Sequence, residues 1–335
     1  IRDSPYEIRL SLVGSEMCIR DRHYGNASKW AYLLAKQSGA GNMTRAQFHN
    51  EVLGESLDAG QKLITETELR KAANLPWKRT QEPTLELVTR SKEYALRVMA
   101  VDWGGGGEAG TSFTSIAILG WLPTGEIHVI WGKRFLLSQN HVEEAKAIMR
   151  YMRAFRCQYV AHDYTGAGTI RESVMVSSGI RDDSIIPIAY IGAASGQMMR
   201  YKPPSDIHPR KYWQLDKTRS LLTVCNAIRF GKVRFFQYDH VGTDSVGLIN
   251  DFLALIENKL DSRSGSDIYT ITRNPAMTDD FAQAVNIGCC AIWHNQAAWP
   301  DFSKLVAIPE LTPEQLRNYG DPAQSWENDP EWDRQ

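Results

Sequence analysis

The sequence predicts a mixed α/β fold: a sheet that opens as a three-strand antiparallel meander, continues in parallel strands, and is flanked by helices. Three observations predict it. Three apolar runs between residues 95 and 135 are joined by short, Gly-containing connections, the pattern of a meander. Residues 140–155 then repeat apolar side chains at helical spacing, with Val142, Ala145, Ile148, Met149 and Met152 on one side. Another apolar run follows at 158–163, so a strand, a helix and a strand stand in succession behind the meander. The 335 residues, 43% hydrophobic and 23% charged, suit one large globular domain with an appendage.

Residues 1–22 (IRDSPYEIRLSLVGSEMCIRDR) lead into no recognisable element. They resemble peptides translated from sequencing-adapter read-through, and are set aside as non-native. Residues 23–93 form a helical appendage and linker. Helices are expected after Asn26, after Thr44 and after Thr65, each a capping residue type, and 76–83 between two prolines reads as a linker. The sheet domain spans 94–300. Its strands are expected at 95–102, 114–121, 127–135, 158–163, 185–191, 233–236 and 268–272, and its helices at 140–155, 170–177, 210–230, 244–260 and 281–294. The stretch 192–206 reads as a polar loop. Residues 301–335 make an acidic, Pro-containing tail ending in Glu327, Asp329, Glu331 and Asp333.

Five scattered cysteines, with no CxxC pair, argue against a disulfide scaffold. No apolar stretch reaches membrane-spanning length, so no membrane partner is expected. The net charge of −1 gives no bulk signal for nucleic acid, although a local basic groove is compatible with an acidic tail.

The chemistry is concentrated in three acidic segments: Val101-Asp102-Trp103-Gly104 and His162-Asp163 at strand ends, and Thr278-Asp279-Asp280-Phe281 at a helix start. Apolar strands buried side by side bring their terminal acids to one end of a sheet. Converging carboxylates repel, and a divalent cation between them relieves the repulsion. Asp102, Asp163 and either Asp280 or Asp279 are the candidate metal ligands. Asp279 is the alternative third acid, since one of the pair can cap the helix while its neighbour binds. Mg²⁺ or Mn²⁺, two ions about 3.5–4 Å apart, suits such an oxygen set and points to phosphodiester hydrolysis. His162 reads as structural more readily than as a general base. For DNA the candidates are Arg200, Lys202, Arg210, Lys211, Lys217 and Arg219, interleaved with Tyr201, Tyr212 and Trp213.

These segments, in this order, resemble the nuclease domain of tailed-bacteriophage large terminase subunits over about Tyr94 to Asn295. The region around Lys217 and Gly231-Lys232-Val233 is similar too, and residues 44–54 resemble the stretch that joins that family's ATPase domain to its nuclease. The resemblance implies a ribonuclease H-like fold and divalent-metal-dependent cutting of concatemeric double-stranded DNA. It implies the portal protein and the terminase small subunit as partners, and the cytoplasm of an infected bacterium, not the mature virion, as the location. Asp102 and Asp163 match the first and second catalytic acids, and Asp280, or Asp279, the third. Many relatives carry a further acid where this chain has Gln283. No GxxxxGK[ST] segment is present, so an ATPase front is expected to be missing and ATP hydrolysis is not expected. A resolvase-like nuclease of the same fold, a non-catalytic nucleic-acid or assembly module, and a sugar-kinase-like ATPase are the alternatives.

Overall fold

The structure, a computed structural model, describes residues 62–104, 112–135, 141–166, 168–192, 197–206, 209–238, 247–260 and 268–302. The helices expected after Asn26 and Thr44 and the acidic tail lie outside them. Residues 58–300 form one compact unit.

Helix α1 (Glu66–Ala72) starts where Thr65 predicts. The Thr65 hydroxyl accepts from the Glu68 N–H, and the Glu68 carboxylate accepts from the Thr65 N–H, a reciprocal cap. Residues 76–83 lie along the sheet, where the Trp77 indole donates to the Ile130 carbonyl at 2.9 Å and Trp131 donates back to that of Thr80 at 2.8 Å. Helix α2 (Leu85–Arg90), capped by Thr84, leads into the sheet.

The meander is β1 (Leu96–Asp102), β2 (Thr114–Trp121) and β3 (Ile127–Phe135), antiparallel throughout. Helix α3 (His141–Ala154) returns the chain to β4 (Tyr159–Asp163), which runs parallel to β1. Helix α4 (Gly168–Ser177) crosses over to β5 (Ile185–Ile191), parallel to β4. Three departures from expectation follow. The polar stretch 192–206 contains an edge strand, β6 (Met199–Lys202). The helix expected at 210–230 is a strand, β7 (Tyr212–Asp216), followed by α5 (Lys217–Arg229). The aromatic pair Tyr212-Trp213 suits a strand, and Asp216 caps the helix by accepting from the Arg219 N–H at 3.0 Å.

After β8 (Val233–Phe235), the helix expected at 244–260 is instead a 3₁₀ segment, Leu248–Ala254, running into β9 (Leu255–Leu260). Here pairing with β10 (Ile268–Arg273) overrides helical spacing. Helix α6 (Asp280–Asn295) closes the domain. The main sheet has the order β6-β7-β5-β4-β1-β2-β3-β8, a ribonuclease H-like arrangement in which the meander continues through β4 and β5.

Strand alternation sorts side chains between the two faces. Met99 and Val101 of β1 and Val160 of β4 pack with Ile148 and Met149 of α3 and with Phe155 just beyond it in one core cluster. Residues of the other parity face α6, where Ala100 and Leu119 press against Gly288. That parity carries Asp102 and Asp163 to the α6 face.

Candidate active site

Asp102 is the last residue of β1 and Asp163 the last of β4, and the two strands are parallel neighbours. Their ends stop at the same edge and their carboxylates share a face. Asp280 opens α6 on that face. The three fields overlap: the Asp102 carboxyl is pushed well above the usual range, first by burial and then by the Asp163, Asp280 and Asp279 carboxylates. Lys217, at the start of α5, pulls the other way on Asp102. Its ammonium stands 5.5 Å from the ring centroid of Tyr190.

Each acid has its own setting. The Asp163 carboxylate accepts from the Thr165 N–H at 2.8 Å and from its hydroxyl at 2.7 Å, which fixes the turn after β4. Gly168 opens α4 so close to that turn that a Cβ would lie 2.1 Å from the Asp163 carbonyl oxygen. Asp280 is buried. Its Oδ1 accepts from the Ser112 hydroxyl at 3.3 Å, while Oδ2 has no hydrogen-bond partner among the described residues. Burial raises its carboxyl to about 6, with Asp251 and Asp279 adding to the rise and the Phe113 N–H and Arg134 opposing it.

Asp279 and Asp280 divide their work differently from the expected cap-and-ligand pair. Asp279 occupies the N-cap position of α6 but makes no capping side-chain bond. Instead its Oδ2 accepts from the Gln283 amide at 2.7 Å, and Oδ1 lies 3.8 Å from Arg273. The cap comes from Asp251 in the 3₁₀ segment, which accepts from the Phe281 N–H at 2.8 Å and the Thr278 hydroxyl at 2.8 Å. Arg134 pairs with both Asp251 oxygens at 2.5 Å.

Register supplies another neighbour that sequence reasoning missed. Asp102 faces Ser115 across β1 and β2, and Ser115 faces Arg134 across β2 and β3. The buried Ser115 hydroxyl also has no hydrogen-bond partner among the described residues. The signal for Asp251 was present: it is the one charged residue in the apolar run Leu248 to Leu255. Ser115 gave no such signal.

His162 leaves the site. It alternates with Asp163, so it points to the opposite face, where it is buried with Nε2 3.0 Å from the Glu172 carboxylate and Nδ1 3.1 Å from the Trp103 indole nitrogen. The expected DNA-contacting cations scatter. Arg200 and Lys202 lie on the edge strand β6. Arg210 is engaged with Glu172 and Asp182, and Lys211 lies 3.7 Å from Asp182. Arg219 sits in the first turn of α5 under the charge of Asp216. Lys217 belongs with the acids.

The donor set suits a hard divalent cation, which takes carboxylate and hydroxyl oxygens and water. Two buried oxygens there, Asp280 Oδ2 and Ser115 Oγ, lack hydrogen-bond partners among the described residues. Among the described residues, no three His, Cys, Asp or Glu side chains form a ready-made cation cage.

No family model matches the chain, and no curated protein does. Among solved structures it is similar to the large terminase nuclease from thermophilic phage G20c, with 12% identity and a TM-score of 0.36 over 58% of this chain and 83% of that one. It is also similar to a variant nuclease domain of the large terminase subunit of bacterial virus Sf6 with manganese and beta-thujaplicinol, with 11% identity and a TM-score of 0.42 over 68% of this chain and 98% of that one. A calcium-containing structure of the Sf6 subunit gives 11% identity and a TM-score of 0.42 over 68% and 99%.

Proposed function

We propose that this chain is a divalent-cation-dependent endonuclease for double-stranded DNA, the nuclease portion of a phage-type large terminase subunit that cuts concatemers during packaging. The observation that carries the reading is the gathering of Asp102, Asp163 and Asp280 on one sheet face, with raised carboxyls at Asp102 and Asp280. Asp102, Asp163 and Asp280 would hold Mg²⁺ or Mn²⁺. When bound, such ions polarise a phosphodiester and lower the pKa of water.

The chain's own residues do the rest. Asp102 and Asp163 end rigid parallel strands, so their spacing is set by sheet register. Lys217 partly offsets the charge at Asp102 and would meet a phosphate oxygen. Arg200 and Lys202, on the edge strand β6, are the expected backbone-contacting cations we retain. Arg210 is held by Glu172 and Asp182, and we assign it to the fold. In this reading residues 94–300 are the nuclease domain and 23–93 its junction with an ATPase. The portal protein and small subunit are the partners to test.

The test is supercoiled plasmid cleavage by the whole chain with Mn²⁺, Mg²⁺ or EDTA, beside Asp102→Ala and Asp280→Ala. The expected result is metal-dependent nicking and linearisation, reduced at least 100-fold in both folded variants. DNA binding without cleavage under any metal would instead mark a binding or assembly module.

A further inference from the structure

The proposed centre leaves Asp251 unexplained. It is a fully buried carboxylate set beside two other carboxylates, where a negative charge is costly. Its bonds are unusually complete: the Arg134 guanidinium, the Thr278 hydroxyl and the Phe281 N–H all donate to it. These donors come from β3, from the turn before α6 and from the first turn of α6.

We propose that Asp251 and Arg134 are positioning residues for the cation: they cap α6 from a distance and so free Asp280 to bind metal. Three observations converge on this. A helix start needs acceptors for its unpaired N–H groups, and the residue at the N-cap usually supplies one. Here the N-cap residue, Asp279, does not, because Gln283 and Arg273 engage it. Asp251 supplies the acceptor, and Asp280 Oδ2 has no hydrogen-bond partner among the described residues. Arg134 also stands in register with Ser115, which stands in register with Asp102. A continuous line therefore runs from Asp102 across two strands to Arg134, then through Asp251 to the backbone beside Asp280. The pair transmits the sheet's register to the helix that carries the third acid. It also selects Asp280 over Asp279 as the ligand.

The inference rests on the proposed metal-dependent reading, and its test separates the two. Mn²⁺ binding to the whole chain is measured without DNA, from the loss of the free-ion EPR signal, for wild type, Asp251→Asn, Thr278→Val and Ile287→Val. Ile287→Val trims the same helix in its buried core and controls for simple loss of stability. Outer-shell partners of metal ligands typically change affinity by about 10–100-fold. Asp251→Asn is expected to weaken Mn²⁺ about tenfold. Thr278→Val, which removes one of the three donors, weakens it less, by roughly threefold, within the same outer-shell logic. Ile287→Val leaves it unchanged. If Asp251→Asn does not fold, Thr278→Val against Ile287→Val decides. Wild-type affinity in the folded cap variants, or an equal loss in Ile287→Val, overturns the positioning role. A wild-type chain that binds no Mn²⁺ overturns the metal-dependent reading, and this inference falls with it.

Discussion

A carboxyl that titrates near 6 instead of at its ordinary 3.8 records what its surroundings cost. For Asp280 the sign is definite. The folded chain holds the proton more tightly than the unfolded chain does, so this group's favourable contribution is complete below about pH 4 and is lost as pH rises through 6. At pH 7.5 the buried charge costs on the order of 3 kcal/mol. In EDTA, Asp280→Asn is therefore expected to be more stable than wild type at pH 7.5, with the advantage shrinking toward pH 4.5. Urea midpoints at the two pH values check it, and an equal difference at both would contradict the assignment. At this scale the positions of the three acids were legible because each sits at a boundary visible in the sequence, where an apolar strand stops or a helix starts. Ser115 was not, because its meaning lies in partners on neighbouring strands, and the lone charge of Asp251 in an apolar run marked that residue without naming its partners. The alternation that removes His162 from the site was readable in principle: a residue beside a strand-end acid points to the other face.

Among the elements, α6 matters most, because it lays one acid against a sheet that carries two. Its close approach depends on Gly288, where a Cβ would lie 2.5 Å from Leu119 Cδ1 and 2.9 Å from Ala100 Cβ. Gly288→Ala is expected to lower stability by about 1–3 kcal/mol, the usual cost of overpacking, read as a lower urea midpoint at unchanged slope. The meander, α3, β4 and β5 were legible nearly to the residue, since local periodicity and turn signals agreed there. Of the expected helices, the one at 210–230 lost its first part and the one at 244–260 was not formed as a helix, for a shared reason. Tyr212 to Asp216 and Leu255 to Leu260 are strands because neighbouring strands pair with them, and single-chain periodicity carries no information about a partner. The edge strand Met199–Lys202, hidden in a polar stretch, was missed the same way.

Across the whole molecule, charge is nearly balanced, at a net of −1, so any grip on DNA has to be local. Replacing both Arg200 and Lys202 with Ala is expected to weaken DNA binding for all sequences and to reduce the salt-dependence slope by about two. Arg210→Ala is expected to leave that slope nearly unchanged and to lower stability, because it breaks pairs with Glu172 and Asp182. Anisotropy titrations at stepped NaCl concentrations, beside thermal melts, distinguish the two. The overall fold class was legible because it follows from strand and helix order, whereas the placement of cations was not, since composition does not tell which of them are already paired. The acids are also separated in time. Asp102 leaves the ribosome 178 residues ahead of Asp280, which follows only after nearly the whole sheet has been made. At roughly 5–20 residues per second, that gap is roughly 10–35 s of synthesis. During it the growing chain carries first Asp102 alone and then Asp102 with Asp163, and no helix to bring the third acid, so in the proposed reading a nascent or prematurely terminated product has no complete centre with which to cut the DNA around it.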